Sequence, residues 1–348
     1  MHLNSVFLVF LVWIRISAAL DCSQASTDTP IFDGYKVYIP GPTEELQPLP
    51  ANFNCVYRIT SPKQFSATVT LWNGIRGVND YIYVLTQEGI AETHNNRTGI
   101  GGAPVEYVVV PGAEMSIQVI TKSVFMNSTF SIMIEFTSAV IGPTLQMKTG
   151  SEMNYFDLSA LQDGQDKTFK TVTFTGTTQI HMLRVNSSDD CQNYYIIDGT
   201  IDNHTAVYRR SRCGDLRFDG LGSTSITIMT RSNQFFGFVL NTPEEWLEYN
   251  IVSLINAVQN EDTIFSFPDN GTRQAMEVVN FNSIGIIFQA KTIWSMICEA
   301  YLVSGPPNNA STVILKVEDS EPHYFDLKYL TVIQNNCDFD FNLRAYNN

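Results

Sequence analysis

Asp80 heads the phrase NDYIYVLTQEG, residues 79–89. A carboxylate placed directly before alternating aromatic and β-branched residues has three roles open to it: metal ligand, catalytic acid, or the residue that ends a turn before a strand. Other acids occur in pairs. Asp189-Asp190 precede Cys191, and Glu244-Glu245 follow Pro243. Glycoside hydrolysis needs two carboxyls facing one cleft, whereas adjacent strand residues point apart. The first pair therefore reads as a solvated turn and the second as a helix start. His94, His181, His204 and His323 are scattered, with no HExxH and no close pair. There is no GxSxG, and GIGG at 99–102 lacks the GxGxxG spacing of a phosphate loop. These patterns predict a protein that is not an enzyme, with no catalytic residue, no metal and no cofactor. The basic cluster YRRSRC at 208–213 contributes Arg209, Arg210 and Arg212. It could bind sulfated glycans or bacterial surface polymers, mark processing after Arg212, or form only a solvated loop tip.

The chain has 348 residues, of which 44% are apolar and only 16% charged, with a net charge of −14. That balance excludes a polyanionic nucleic-acid partner and leaves a surface rich in Ser, Thr, Asn and Gln. Residues 6–14 form an apolar run too short to span a bilayer, followed by small residues Ser17, Ala18 and Ala19. The expectation is a signal peptide over 1–19, no transmembrane segment, no GPI-type tail, and a secreted, extracellular product. Six cysteines follow: Cys22, Cys55, Cys191, Cys213, Cys298 and Cys337. They are widely spaced, without the CxxC of a zinc or redox site. Six N-x-S/T sequons, at Asn96, Asn127, Asn186, Asn203, Asn270 and Asn309, point to a glycoprotein.

The elements that must carry these residues alternate with period two. Phe65, Ala67, Val69 and Leu71 share one face of a strand. Met115, Ile117 and Val119 share another; so do Phe130, Ile132, Ile134 and Phe136, and Phe339, Phe341, Leu343 and Ala345. Strands that bury one face and wet the other predict an all-β chain of antiparallel sandwiches. One segment competes. Thr242, Pro243 and Glu245 form a capping box, and Leu247, Ile251, Leu254, Ile255 and Val258 follow helical spacing. A helical turn is expected near Pro243, with helix or strand left open beyond it.

The opening phrase recurs as CQNYYIIDGTIDN at 191–203 and CEAYLVSGPPNN at 298–309. Each copy is followed about 40–50 residues later by an alternating strand, the period of one unit per domain. This spacing predicts domains over 20–140, 143–243 and 244–348, broken at Gly142-Pro143 and near residues 241–246. YFDLSAL at 155 and YFDLKYL at 324 fall at different places in that scheme and count mildly against the last boundary. Six cysteines allow 15 connectivities. If each domain closes on itself, the pairs are Cys22–Cys55, Cys191–Cys213 and Cys298–Cys337, each adding about 2–4 kcal/mol.

With those motifs in order, the first domain resembles the nematode CUB-like domain. NFNCVYRI at 52–59 resembles the early Cys-aromatic-basic-Ile strand of CUB domains. NDYIYV at 79–84 resembles their Asp-Tyr-hydrophobic strand, and NSTFSIMIEF at 127–136 their closing strand. The resemblance covers about 21–138 well, 143–243 weakly and the remainder slightly. It implies tandem CUB-like jelly-roll β-sandwiches without catalytic machinery, and Cys22–Cys55 would match the family's first bridge. Many CUB domains bind calcium through a Glu, the Asp of the Asp-Tyr strand and a later Asp. Asp80 matches the middle ligand. Trp72 and Asn73 stand where the Glu belongs, and residues 121–129 contain no acid. Asp80 is then a turn-ending residue, at most a vestigial calcium-ligand position. The family is secreted and often associated with innate immune defence. The resemblance thus implies a defence protein that binds an extracellular protein or glycan ligand, of microbial or host origin. A structural extracellular-matrix protein, or a hydrolase hidden in the third domain, are the alternatives.

Overall fold

In the computed structural model, residues 22, 30–41, 43, 45–98, 103–123, 128–161, 168–184, 194–209, 217–219, 222–231, 237–242, 248–249, 251–257, 261–268, 271–280, 283–293 and 298–347 are described. The expected signal peptide, Cys191, Cys213, Asn127, Asn186, Asn270, Arg210 and Arg212 lie outside them. The chain divides into two compact units, Met1–Ala139 and Val140–Asn348. The described residues are almost wholly β, with a single 3-10 turn at Leu158–Leu161.

The first unit holds β1 (Tyr35–Ile39), β2 (Gln47–Pro48), β3 (Asn54–Thr60), β4 (Phe65–Gly74), β5 (Tyr81–Leu85), β6 (Ala91–His94), β7 (Val105–Val109), β8 (Glu114–Ile120) and β9 (Thr129–Ser138). One sheet runs β1-β9-β4-β7, with β2 also pairing β9; the other runs β3-β8-β5-β6. This is the strand order of a double-sheet jelly roll. The alternating residues face inward: Ala67, Val69, Leu71, Ile117, Val119, Phe130 and Ile132 are all fully buried. Tyr57 of β3 and Phe130 of β9 join the two sheets, with ring centroids 5.9 Å apart. Cys22 is bridged to Cys55 of β3, with Cα atoms 5.4 Å apart. The polar face departs from the simple expectation, because Ser66, Thr70 and Ser131 are buried too. They lie on the central strands β4 and β9, opposite larger residues; Ser131 faces Trp72, and Thr70 lies between Met133 and Glu106. Short side chains in such rows are covered by their long neighbours.

The second unit holds two further sandwiches. β10 (Thr144–Gln146), β11 (Asn154–Asp157), β12 (Lys170–Thr175), β13 (His181–Arg184), β14 (Tyr194–Gly199), β15 (His204–Arg209), β16 (Arg217–Asp219), β17 (Ser225–Thr230) and β18 (Gly237–Asn241) make the earlier one. β19 (Ile251–Asn256), β20 (Thr263–Phe267), β21 (Arg273–Val279), β22 (Gly285–Ile293), β23 (Glu299–Val303), β24 (Val313–Lys316), β25 (His323–Phe325), β26 (Tyr329–Asn335) and β27 (Phe339–Tyr346) make the later one. Their orders are β10-β12-β17-β14-β15 over β11-β18-β13-β16, and β19-β21-β26-β23-β24 over β20-β27-β22-β25. The two are the same topology nine strands apart, down to a parallel first pair, β10 with β12 and β19 with β21. The recurring phrase falls on β5, β14 and β23, and the following alternating strand on β9, β18 and β27. These occupy equivalent places in the three strand orders.

The segment expected to begin with a helical turn resolves into a strand from Ile251, while residues 243–247 lie outside the described set. The two YFDL phrases occupy opposite edges of equivalent sheets, β11 and β25. Cys298 is bridged to Cys337, with Cα atoms 4.7 Å apart. Beside it, Phe288, Phe339 and Phe341 fill the last core, with Phe339 and Phe341 centroids 5.2 Å apart. The two sandwiches share a third apolar cluster. Leu183 and Val239 from β13 and β18 pack with Ala275, Val279, Val303 and Ile333 from β21, β23 and β26. Between the same strands, β18 and β21, the buried Asn241 amide donates to both carboxylate oxygens of buried Glu277, at 3.1 and 3.0 Å.

Candidate functional site

Asp80 ends a turn, as its backbone N–H donates to the Gly77 carbonyl at 3.1 Å. Its side chain does more than end a turn. The carboxylate is fully buried. One oxygen accepts the backbone N–H groups of Lys122 and Ser123 at 2.8 and 2.9 Å, and the other accepts the Ser128 hydroxyl at 2.6 Å. The Ser128 oxygen in turn accepts the N–H groups of Arg76 and Gly77, at 3.0 and 3.2 Å. A Cβ on Gly77 would collide with the Asp80 carboxylate and the Ser123 hydroxyl, so only glycine fits this close approach. Burial works against ionisation of Asp80. The hydrogen bonds from Ser128, Lys122 and Ser123 outweigh it and hold the carboxyl below its usual value.

This donor set does not fit calcium, which takes six to eight oxygen ligands. Both oxygens of Asp80 already face N–H and O–H donors. Asn73, near the position where the family carries a Glu, is committed as well. Its amide donates to the carbonyls of Asn95, at 3.1 Å, and Thr98, and its oxygen accepts the Ile75 N–H at 3.0 Å. Among the described residues no three His, Cys, Asp or Glu side chains converge.

The tyrosines after Asp80 face the other way. Tyr81, Tyr83 and Leu85 lie on the outer face of β3-β8-β5-β6, in register with Ile120, Gln118 and Ser116 of β8. Asn54, Val56 and Arg58 of β3 extend the same rows. Tyr83, Leu85 and Val56 are 40%, 48% and 44% exposed. Tyr81 and Tyr83 meet edge to face, with centroids 4.7 Å apart, and the Lys122 ammonium lies 6.0 Å from the Tyr81 ring. The Gln118 amide donates to the Asn54 side-chain oxygen at 2.9 Å. The result is a sheet face carrying aromatic, apolar and amide groups, with Arg58 as the one charged side chain in its three central rows.

The structure also brings together three residues that the sequence leaves apart. His94 Nε2 lies 2.7 Å from the Tyr107 hydroxyl, which donates to Glu92 at 2.7 Å. The group joins β6 of one sheet to β7 of the other and staples that side of the sandwich. Burial pushes the His94 imidazole below its usual value, against the pull of Glu92. No sequence signal marks this group, because Tyr107 reads as one more strand residue.

Of the sequons, Asn96 is half-buried in the turn between β6 and β7, and Asn203 and Asn309 are exposed. Arg209 ends β15.

Residues 17–139 match the family described as CUB-like domain. The match ends at Ala139, the last residue of the first unit. No curated protein matches the chain. Among solved structures, the chain is similar to the CUB1-EGF-CUB2 domain of human MASP-1/3 at 12% identity, over 89% of this chain and 98% of that one, with a TM-score of 0.23. The rat MASP-1 CUB1-EGF-CUB2 domains give 11% identity, 90% and 99% coverage and a TM-score of 0.24. A triple jelly-roll protein of an archaeal virus gives 9%, 87%, 90% and 0.24. Scores of this size support no superposition, so the fold stands on the strand order and the family match.

Proposed function

We propose that this chain, whose first unit carries a CUB-like domain, is a secreted, glycosylated, non-enzymatic protein of tandem jelly-roll sandwiches. It binds an extracellular glycan or protein in the response to microbes. CUB domains are typically extracellular binding modules without catalysis, and the disulfides agree with an oxidising compartment. The observation that carries the reading is the outer face of β3-β8-β5-β6. A sheet face exposing Tyr83, Leu85 and Val56 together is the kind of surface that marks an interaction site. Tyrosine supplies a large ring for stacking and a hydroxyl at its rim, and Asn54 and Gln118 add hydrogen-bonding amides. Asp80 belongs to the framework beneath: it fixes the loops that flank the strand carrying these residues.

The test is a glycan array and a pull-down on intact bacteria, with the unsubstituted protein and with Tyr83→Ser. Binding to a microbial or host polymer that drops at least about tenfold in the variant, a loss of roughly 1.4 kcal/mol, supports the reading. Binding to none of them counts against it, and so does expression that stays flat on bacterial exposure.

A further inference from the structure

The second unit contains a cleft of about 350 Å³ where its two sandwiches meet. Its walls are the turn after β10 (Lys148, Thr149, Gly150), the Thr177-Thr178 turn before β13, and Thr242 after β18. The remaining wall is the turn between β23 and β24, with Asn308, Asn309 and Ala310. The two sandwiches are tied across it, because the Asn308 amide donates to the Gly150 carbonyl at 2.8 Å. The same Asn308 oxygen accepts the N–H groups of Ala310 and Ser311, at 2.9 and 3.0 Å, which fixes the turn that carries Asn309. Asn309 is exposed and begins the sequon Asn309-Ala310-Ser311.

The geometry points to an occupant: we propose that this cleft seats the first N-acetylglucosamine of a glycan carried by Asn309 itself. The inference rests on the secreted, glycosylated reading above. Attachment follows the usual chemistry of sequons. The Asn309 amide nitrogen bonds to C1 of the sugar of a lipid-pyrophosphate-linked oligosaccharide, the lipid pyrophosphate leaves, and the nitrogen loses a proton.

The lining fits a sugar that is already tethered better than one arriving from solution. The volume lies at the low end of small-molecule sites, about 300–1,000 Å³. Among the described residues the lining has threonine hydroxyls, one ammonium and amides, and no aromatic ring on which a pyranose could stack. A free saccharide would have to offset lost translational and rotational freedom with these polar contacts alone. A sugar on Asn309 is held at an effective concentration on the order of millimolar, so weak contacts suffice. The threonine side chains of the lining, the Lys148 ammonium and the Asn308 amide are the polar groups that face the sugar's hydroxyls and acetamide. Seated there, the sugar would touch both sandwiches and stiffen their junction.

The experiment uses the full chain secreted from eukaryotic cells, with glycopeptide mapping and amide hydrogen exchange. Three forms are compared: fully glycosylated, trimmed to a single N-acetylglucosamine by an endoglycosidase, and Asn309→Gln. The expected result is that Asn309 is occupied and that 148–151 and 177–178 exchange equally slowly in the first two forms. Exchange there should rise at least about threefold in Asn309→Gln. Asn203→Gln, which removes a sequon away from the cleft, should leave it unchanged. Exchange indifferent to Asn309→Gln, or protection lost on trimming to one sugar, overturns the seat. So does an unoccupied Asn309 beside occupied Asn96 and Asn203, with the secreted reading intact. If all three are unoccupied and the chain stays inside the cell, the secreted reading has failed and the seat fails with it. Tight binding of soluble N-acetylglucosamine oligomers to Asn309→Gln would make the cleft a receptor for foreign sugar and overturn the inference.

Discussion

Donors from three residues converge on the Asp80 carboxylate, and each residue comes from the far end of the domain. Lys122, Ser123 and Ser128 lie 42, 43 and 48 residues along the chain. That distance is why the sequence shows a turn residue and not a hub: period-two patterns report neighbours on one strand and say nothing of loops that meet in space. Were Asp80 only a turn-ending residue, Asp80→Ala would cost little. Here it leaves two part-buried N–H groups and a buried hydroxyl short of an acceptor, and the expected loss is about 2–4 kcal/mol by urea denaturation with an unchanged slope. Calcium or a chelator should leave the melting temperature of the unsubstituted protein where it is, since both oxygens of Asp80 already accept hydrogen bonds and no second acid converges on them among the described residues. A calcium-dependent shift would overturn that. His94 acts in a different pH window. Its folded-state value lies below the usual 6.5, so the unfolded chain takes up the proton first. Its contribution is complete above about pH 6.5 and fades as the pH falls below it. Asp80 has a folded-state value below 3.8, so its contribution is lost only at still lower pH. Melting of the first unit between pH 7 and 5 should therefore fall with pH, and His94→Gln should flatten that fall. An equal slope in both proteins would remove His94 as the cause.

At the scale of elements, the alternating strands were the legible part. Residues 65–71, 115–119, 130–136 and 339–345 form strands with those residues directed into cores, because one buried face leaves period two in the sequence. The parallel edge strands were not legible. β10 pairs through only three residues, too few for any period, and Gly142-Pro143 just before it reads as a break. β19 is spelled IVSLIN, a mainly apolar run that fits a helix face as well as a strand, behind a capping box that argues for a helix. Gly142 shows what the break is for. Its N–H donates to the Thr171 hydroxyl at 3.1 Å, and a Cβ there would collide with the Thr171 carbonyl of β12. The connection thus lies flat on β12 and delivers β10 alongside it. Gly142→Ala should push the connection off and cost about 1–3 kcal/mol, read as a lowered denaturation midpoint of the second unit. A midpoint unchanged within error would mean that the connection does not pack this closely.

For the whole molecule, the recurring phrase counts sandwiches but does not count cooperative units. Each copy marks one jelly roll, because each needs an aromatic strand and a closing strand at fixed places in its order. Whether neighbouring sandwiches unfold together depends on the faces they share, and such faces are written as ordinary strand residues. Leu183 and Val239 look no different from residues of a private core, yet they pack against Ala275, Val279 and Ile333 of the next sandwich. We therefore expect calorimetry of the full chain to show two transitions, one for each compact unit. Asn241→Asp separates them. It places a second carboxylate within about 3 Å of buried Glu277, where two like charges cannot both stay ionised. The later unit should lose about 3–5 kcal/mol at neutral pH and recover part of it as acid protonates one member of the pair, while the first unit melts unchanged. Three transitions in the unsubstituted protein, or a shift of both in the variant, would mean that this shared face does not join the two sandwiches into one folding unit.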